Sequence, residues 1–513
     1  MEEDKKDLEK QETDKEVPEK QEYNKKELDA RLKEAVHRAG HRWRNRFHLE
    51  LPFGFTGSVK GLVFFEGEYH LFCQWNPFST EDKNKGWVEF KTRDFIYWSE
   101  PRLVLWPTGD DDRDGCGSGS AFINGGRLRI LYTGRREEEG RRANHQILGT
   151  LTKEGVIHKD MVLLKEPPEG YTDLFQGPHF FVRNNHAYMV LGAQAKPEDD
   201  ARGCALLYRE EKGVFKLLGE LKTQLGFFGR VWECPAMLRF GNHDVFLFSP
   251  RGVPDREFSY QNLFQSGYVA GHLSLAAQEM LHGSFHELDR GFDFFAPHVG
   301  THEGRNILFG WMSMPHNDEE YPTGAEGWMH TLTLPRVMSF RQGKLFSKPA
   351  PELKALRIER SARELSGRDV PSLKTEIDYC TEILLNIVFG AAERVKTELR
   401  YAREKVTITY DRGTDVVEIS REGMKLGGRG VRRFKLYTYH ALVMHIFIDK
   451  TAIEIFFQNG EEVASFLVFP EKDVQPVFAL EADAPMEKVM GTIWELDRLR
   501  YGQSKPQKRK YVF

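Results

Sequence analysis

The sequence is poor in cysteine, and the positions of its five cysteines exclude the common uses of a cysteine cluster. They are an odd number in 513 residues and contain no Cys-x-x-Cys pair: Cys73, Cys116, Cys204, Cys234 and Cys380. Neither a disulfide framework nor a zinc site is predicted, and we expect reduced, mostly buried thiols. The 18 histidines form no His-Glu-x-x-His pattern, so no metal and no other cofactor is predicted.

Two further absences limit the class of partner. No apolar run has the length of a membrane span, and the charged residues 1–6 lack the apolar segment of a signal peptide. The net charge is only -4, with both signs interspersed, so neither a nucleic acid nor a membrane surface is expected to bind. A cytoplasmic protein is predicted, and the sequence leaves the oligomeric state open.

Glycine and aromatic residues are abundant instead. The 46 glycines, 37 phenylalanines and 17 tyrosines favour an all-β fold of short strands and turns. Because 513 residues exceed the size of one hydrophobic core, more than one domain is expected. Residues 1–24 are mostly charged and predict a disordered tail. Leu28, Leu32 and Val36 then recur at helical spacing, which predicts an N-terminal helix over residues 25–45.

Five hairpin-like units occupy residues 46–340. Each has an apolar run, a turn and a second apolar run: 62–65 with 69–72, 120–123 with 128–132, 179–182 with 188–191, 237–240 with 245–248, and 294–299 with 307–311. Turns of the Asn-Gly type between such runs predict hairpins. Five similar units at even spacing favour a five-bladed β-propeller that binds its ligand at the mouth of the central channel. A two-sheet sandwich is the alternative.

After residue 340 the hairpin-like units end and the sequence pattern changes. Pro349 and Pro351 stand close together, which predicts a linker over residues 341–352 because proline disrupts helices and central strands. Alternating apolar runs follow at residues 406–410, 445–449 and 453–457. They predict a C-terminal β-sandwich over residues 353–513.

The stretch Trp232-Glu233-Cys234-Pro235 is the first candidate for chemistry. A glutamate held among apolar side chains loses hydration of its charged form, so its pKa rises and it can serve as a general acid. The structural alternative is a salt-bridged glutamate at the end of a strand. Glycosidases also need a second carboxylate across the bond that is cut.

Several motifs together resemble those of one family. They are Gln74-Trp75-Asn76-Pro77-Phe78, Asp114-Gly115-Cys116, Tyr132-Thr133-Gly134, Trp232-Glu233-Cys234-Pro235, residues 292–297 and residues 332–336. From about residue 42 to its end, the chain resembles glycoside hydrolase family 32, and within it the bacterial sucrose-6-phosphate hydrolase and invertase group. The resemblance implies the propeller-plus-sandwich fold and a small-molecule sugar as the ligand.

The resemblance also implies retaining cleavage of terminal β-fructofuranosides by three acidic residues. The family's Asn-Asp-Pro-Asn-Gly run, which supplies the nucleophile, reads Gly57-Ser58-Val59-Lys60-Gly61 here. Its Arg-Asp-Pro run, which supplies the transition-state stabiliser, reads Gln176-Gly177-Pro178. Ser58 and Gly177 therefore stand at substituted catalytic positions. Glu233, the acid/base, is the one acidic residue of the three that remains.

A substrate-binding set follows from the same resemblance, and its members are Gln74, Trp75, Ser118, Gln176, Glu89 and His298. Trp75 could equally pack within a blade, and Ser118 could cap a turn. Four arginines at 135, 136, 141 and 142 flank a glutamate run. They favour a solvated charged loop over a phosphate site.

Three functional hypotheses follow. A serine without a neighbouring base attacks poorly, and losing an essential nucleophile costs roughly 10⁴ to 10⁶ in rate. The first hypothesis is a binding or regulatory protein of the β-fructofuranosidase fold, for a ligand of the sucrose or sucrose 6-phosphate class. The second is a glycoside hydrolase with altered chemistry that uses Glu233 as acid or base, with another carboxylate such as Glu89, or the substrate itself, in place of the missing nucleophile. The third is an active β-fructofuranosidase.

Overall fold

The computed structural model describes residues 25–35, 42–138, 140–196, 201–317 and 320–502. The tail predicted over residues 1–24 lies outside these ranges. Helix α1 (Lys25–Ala35) is shorter than the helix predicted over residues 25–45, and Val36 is outside the described residues. Leu28 of α1 is buried in the main core. No helix within the described ranges is long and apolar enough to cross a membrane.

The described chain is all-β apart from α1 and short 3-10 turns, and antiparallel sheets succeed one another along it. Sheet 1 contains β1 (Gly54–Phe65), β2 (Glu68–Asn76), β3 (Gly86–Thr92), β4 (Tyr97–Trp98) and β5 (Arg102–Leu105). Sheet 2 contains β6 (Cys116–Asn124), β7 (Arg127–Glu138), β8 (Arg141–Leu151) and β9 (Ile157–Leu164). Sheet 3 contains β10 (Gln176–Arg183), β11 (His186–Ala195), β12 (Arg202–Glu211) and β13 (Val214–Glu220).

Two more sheets follow. Sheet 4 contains β14 (Val231–Phe240), β15 (His243–Arg251), β16 (Gly267–Ser274), β17 (Glu279–His282) and β18 (His286–Glu287). Sheet 5 is built from β19 (Phe295–His302), β20 (Arg305–Met312), β22 (Thr331–Leu332), β23 (Arg336–Arg341) and β24 (Lys344–Pro349). The short strand β21 (Trp328–Met329) precedes β22 in the chain but pairs in parallel with β1 of sheet 1.

The five predicted hairpins are confirmed as the antiparallel pairs β1–β2, β6–β7, β10–β11, β14–β15 and β19–β20. The first strands of successive sheets also contact one another, from β1 through β6, β10 and β14 to β19, and β19 contacts β1 again. The N-terminal domain is therefore propeller-like. The structure supports four propeller blades rather than the five predicted. The first and last of the five sheets are joined through one segment, since β21 pairs with β1 and β22 pairs with β20.

Glycines allow the inner strands to approach closely. A Cβ atom on Gly61 of β1 would lie 2.6 Å from the Cβ of Ala121 in β6. A Cβ atom on Gly300 of β19 would lie 2.4 Å from the carbonyl oxygen of Leu62 in β1. Side chains at these two positions would force neighbouring strands apart.

The linker predicted over residues 341–352 is wrong. Residues 344–349 form β24, which pairs with β23, and a 3-10 helix over Pro351–Leu356 follows directly. Proline is compatible with this arrangement because β24 is the edge strand of sheet 5, and an edge strand does not need every backbone donor.

The C-terminal region forms one large sandwich-like antiparallel sheet of ten strands. Its strands are β25 (Arg363–Glu376), β26 (Thr381–Val388), β27 (Arg394–Tyr401), β28 (Glu404–Asp411), β29 (Val416–Ser420), β30 (Val431–Lys435), β31 (Ala441–Ile448), β32 (Ala452–Phe457), β33 (Glu462–Leu467) and β34 (Val477–Glu495). A final strand, β35 (Arg500–Tyr501), returns to pair with β4 of sheet 1.

A buried ionic network joins the two regions. Arg336 of β23 donates to Asp289 at 3.0 Å and to Glu454 of β32 at 2.7 Å. His48 lies between Glu454 and Asp449, at 3.2 and 3.0 Å. Burial alone would lower the pKa of His48, but the two carboxylates raise it to about 9. Each charge in this network has an opposite charge in contact, which is the condition under which buried ions are tolerated.

Replacing Glu454 with Gln should destabilise the protein strongly. The change removes the negative charge that His48 and Arg336 share, so we expect the free energy of unfolding to fall by roughly 3–5 kcal/mol. Urea denaturation at pH 7 measures it. The matched control is Glu418→Gln, which removes a carboxylate from an exposed pair with Arg433 and should cost about 0–1 kcal/mol. Equal losses in the two variants would contradict the structural role of Glu454.

Candidate functional site

Four inner strands bring distant parts of the sequence together at one place. Ser58 and Lys60 come from β1, Ser118 from β6, Gln176 from β10, and Glu233 and Cys234 from β14. Hydrogen bonds link these residues in two groups, one centred on Lys60 and one on Glu233. We call these six residues the inner-strand cluster.

Every inner strand is irregular at the height of this cluster. The register of pairing shifts between residues 56 and 61 in β1, 116 and 119 in β6, 176 and 179 in β10, 233 and 236 in β14, and 295 and 298 in β19. Irregularities of this kind are β-bulges, which redirect side chains and are enriched beside functional sites. Their recurrence at matching positions marks this end of the inner strands as the candidate site.

Lys60 is the electrostatic centre of the cluster. Its side chain is 2% exposed, and its ammonium donates to Ser58 Oγ at 2.6 Å and to Ser118 Oγ at 3.0 Å. No carboxylate among the described residues lies within ion-pair distance of it. Burial lowers the pKa of Lys60 to about 8, so at pH 7 it is still mainly a cation. The site therefore holds a buried positive charge bound only to alcohols.

The surroundings of Glu233 differ from those predicted. Its carboxylate accepts a hydrogen bond from Gln176 Nε2 at 2.5 Å and pairs with Arg251 Nη2 at 2.8 Å. The neighbouring Trp232 packs into the core against Phe248, with ring centroids 4.4 Å apart. The predicted apolar surroundings are therefore wrong, because two donors hold this carboxylate as an acceptor.

Gly177, at the predicted stabiliser position, lies close to Cys234 of the cluster. Gly177 has φ +74° and donates its N–H to Thr133 Oγ1 at 2.9 Å. A Cβ atom there would lie 3.4 Å from the Cys234 nitrogen, so a small side chain has room although the backbone conformation favours glycine. The Cys234 thiol lies 3.7 Å from Ser118 Oγ, and burial raises its pKa.

Three members of the predicted substrate-binding set have internal partners. Gln74 Nε2 donates to the Cys116 carbonyl at 2.7 Å, and Trp75 Nε1 donates to the Phe53 carbonyl at 2.8 Å. Both side chains are buried. His298 bonds the Gly119 carbonyl at 2.9 Å, and burial lowers its pKa to about 3, so it is neutral. His298 therefore joins the inner strands β19 and β6, and Gln74 joins β2 to β6.

Glu89 is not a member of the cluster. Its carboxylate is buried between His70 at 2.7 Å and Arg102 at 2.6 Å, and neither partner contacts the cluster residues. The expectation that Glu89 lines the sugar pocket is therefore wrong. Glu89 follows the motif that pointed to it, but β3 directs its side chain into the packing between strands.

Two arginines were not predicted for the site. Arg251 pairs with Glu233 from the end of β15. Arg135 lies on β7, half-buried, rather than on a solvated loop, and it interacts electrostatically with both Glu233 and Arg251. The signal available in the sequence was the position of Arg135 directly after Tyr132-Thr133-Gly134. Arg251 had no motif of its own.

The comparisons with known proteins agree with this architecture. Residues 48–349 match the Glycosyl hydrolases family 32 N-terminal domain, and residues 352–490 match the Glycosyl hydrolases family 32 C terminal. The chain belongs to glycoside hydrolase family 32. Within the described part of this family 32 chain, no group of three or more His, Cys, Asp or Glu side chains could hold a metal ion.

Similar proteins come from bacteria and an insect. A sucrose-6-phosphate hydrolase of Bacillus subtilis is 34% identical over 440 residues, which cover 83% of this chain and 89% of that protein. A raffinose invertase of Escherichia coli is 31% identical over 470 residues, covering 90% and 96%. The solved Bombyx mori GH32 beta-fructofuranosidase superposes with a TM-score of 0.82 at 25% identity, covering 93% of this chain and 98% of that one.

Lys60 should reduce stability at neutral pH, so Lys60→Met should raise it. Because the pKa of Lys60 falls from 10.5 to about 8 on folding, the folded state bears the cost of the buried charge below pH 8. We expect Lys60→Met to gain on the order of 1–3 kcal/mol at pH 7. The gain should shrink as pH rises from 8 towards 10.5, since wild type then folds with neutral Lys60.

Urea denaturation of both proteins at pH 7 and pH 9.5 tests this. Lys216→Met, which removes an exposed lysine that pairs with Glu211, is the control and should change stability little at either pH. A Lys60→Met variant that is less stable than wild type at pH 7 would contradict the uncompensated charge.

Proposed function

We propose that this family 32 protein binds a sugar of the fructoside class, sucrose or sucrose 6-phosphate, at the inner-strand cluster with very little ordinary retaining hydrolysis. The observation that carries the proposal is the 2.6 Å hydrogen bond from Lys60 to Ser58. Ser58 stands where the family pattern has the attacking carboxylate, and Lys60 beside it is mainly protonated at pH 7, so it is a poor base for activating the alcohol. The similarity to sucrose-6-phosphate hydrolases and invertases supports the class of sugar.

The rest of the cluster supports weak turnover as well. A retaining glycosidase needs two carboxyl groups about 5–5.5 Å apart. Glu233 is engaged by Arg251 and Gln176, and Gly177 contributes only a backbone N–H. The proposal therefore keeps Glu233 as the acid/base position and assigns Ser118 and Gln176 to sugar contacts.

An enzyme with altered chemistry is the second candidate, and one observation favours it. Asp82 interacts electrostatically with Arg135, as Glu233 does. Partial desolvation would raise the pKa of Asp82, whose side chain is still 45% exposed, but Lys85 and Arg135 hold it below its ordinary value, so its carboxylate is ionised. In this candidate Asp82, rather than Glu89, is the second carboxylate, and any product formed should disappear in Asp82→Asn.

We also propose that all five sheets are blades of one propeller, over residues 46–349, with the sandwich beginning near residue 353. The closed ring of inner strands and the bulge in each of them support five blades. The cytoplasm is the proposed compartment, because all five cysteines are free and buried and such thiols are typical of reducing surroundings.

Wild-type protein should bind sucrose or sucrose 6-phosphate without forming products at an ordinary rate. Isothermal titration calorimetry gives binding, and fructose release gives turnover. We expect kcat/KM at least roughly 10⁴-fold below that of the Bacillus subtilis relative measured beside it. Glu233→Gln is the matched control, because any residual hydrolysis of the family type should vanish in it. Turnover comparable to the relative would contradict the proposal.

Restoring the family pattern should restore hydrolysis. The triple change Ser58→Asp, Lys60→Asn and Gly177→Asp supplies both missing carboxylates and removes the ammonium that would otherwise pair with the first. We expect sucrose cleavage to rise by at least roughly 10²-fold over wild type. Lys60→Asn alone is the control and should stay inactive. A folded triple variant that binds no fructoside would show that the pocket takes another sugar.

A further inference from the structure

The inner-strand cluster offers more hydrogen-bond donors than it uses. Lys60 has three N–H donors, and two of them go to Ser58 and Ser118. Both serine hydroxyls accept from Lys60, so each has its own O–H to donate. Beside them, the Nε atoms of Arg135 and Arg251 are buried without a partner in the described structure. A ligand that satisfies these groups must be rich in acceptors.

The charges around Lys60 also favour a ligand that carries hydrogen-bond acceptors, in particular negatively charged ones. The titratable groups that interact with it are Lys85, Arg135, Glu233, Cys73, Cys234 and the neighbouring His298. Burial raises the pKa of the Cys73 thiol to about 12, so it is neutral at pH 7. Lys85 is balanced by Asp82, and Glu233 is balanced by Arg251. Burial keeps the Cys234 thiol and the His298 ring neutral at pH 7. The ammonium of Lys60 is thus left without a counter-charge in contact, and Arg135 adds a second positive group.

We propose that the cluster recognises an anionic sugar, with a carboxylate or phosphate oxygen seated against Lys60, Ser58 and Ser118. The inference rests on the proposed function and specifies its ligand: a furanose-sized sugar that carries an oxyanion at the end buried deepest in the site. The oxyanion supplies the missing negative charge, accepts the third N–H of Lys60 and the two hydroxyl protons, and forms charge-assisted hydrogen bonds.

The layout of the cluster gives the oxyanion a defined position. Ser58 and Lys60 are buried, whereas Ser118 and Arg135 are partly exposed. The ammonium therefore lies at the floor of the site with the second hydroxyl and the arginine nearer to solvent. The rest of the sugar would face Glu233 and Gln176, which offer a carboxylate and an amide for its neutral hydroxyl groups.

The decisive experiment compares sugars that differ in charge. Calorimetric titrations at pH 7 use D-fructose, 2-keto-D-gluconate (in which a carboxylate replaces the hydroxymethyl group at C1), fructose 1-phosphate and fructose 6-phosphate. At least one anionic sugar should bind roughly tenfold or more tightly than D-fructose. The carboxylate and phosphate arms show which oxyanion the site prefers, and inorganic phosphate alone should bind far more weakly than the sugar phosphates.

Lys60→Met should abolish the preference for the anionic sugar while leaving the weak binding of D-fructose. Lys216→Met, at an exposed position, should leave both unchanged. The preference should also fall by up to tenfold per pH unit as pH rises above about 8, because Lys60 then loses its proton. Binding of D-fructose should be insensitive to that change.

The possible results separate the two proposals. If sucrose and D-fructose bind and no anionic sugar binds more tightly, the inference is wrong and the proposed function stands. If neither neutral nor anionic sugars bind, the proposed function itself fails. A preference for anions that persists in Lys60→Met, or inorganic phosphate binding as tightly as the sugar phosphates, would also overturn the inference.

Discussion

The close approach of the inner strands is the constraint on which the molecule depends. Gly61 fits against Ala121, and Gly300 fits against the backbone of Leu62, so β1 approaches β6 and β19 at these points with almost no side-chain volume between them. A ring packed this tightly fixes the distances between residues that are far apart in sequence. The bulges then turn side chains out of the packing at one end of each strand, and the site is built from what they expose.

Lys60 differs from two other buried cations, Arg336 and His48, in the kind of partner that it contacts. Arg336 and His48, both fully buried, are each held between two carboxylates. Lys60 is buried just as deeply but is bonded only to hydroxyls. A buried ion without a partner costs several kcal/mol, and such a cost is typical of positions kept for binding or chemistry rather than for folding.

The sequence predicted most of the fold because hairpins are local. The runs around residues 62–72 and 237–248 pair as expected since the turn and the alternating pattern lie within about ten residues. Pro349 misled the boundary prediction because proline at the end of an edge strand has the same sequence signal as proline in a linker. The number of blades could not be derived from local pattern alone, since strands β21 and β22 lie together in sequence but join different sheets.

The site was predicted in part for the same physical reason. Ser58 and Lys60 are two residues apart on one strand, and the spacing of a regular strand would place their side chains on the same face; the bulges of β1 in this segment mean that only the structure shows their contact. The ion pair of Glu233 with Arg251 depends on the register of β14 with β15 just before the β14 bulge, where Val231 pairs with Arg251 and Glu233 with Ser249, and no spacing rule reveals it. Glu89 shows the converse case, in which a motif position was right but the side chain faces into the packing.

In the two proposals, the missing attacking carboxylate and the oxyanion site involve two nearby positions, Ser58 and Lys60, where the family's run has Asp and Asn. An aspartate at position 58 would reach the ammonium of Lys60 and neutralise it, leaving no place for a second anion. A serine stops at its Oγ, 2.6 Å from the ammonium, and leaves that charge to be satisfied from outside. The two proposals are therefore linked, because the serine that is expected to make hydrolysis of a neutral fructoside slow also leaves the charge of Lys60 for a ligand to neutralise.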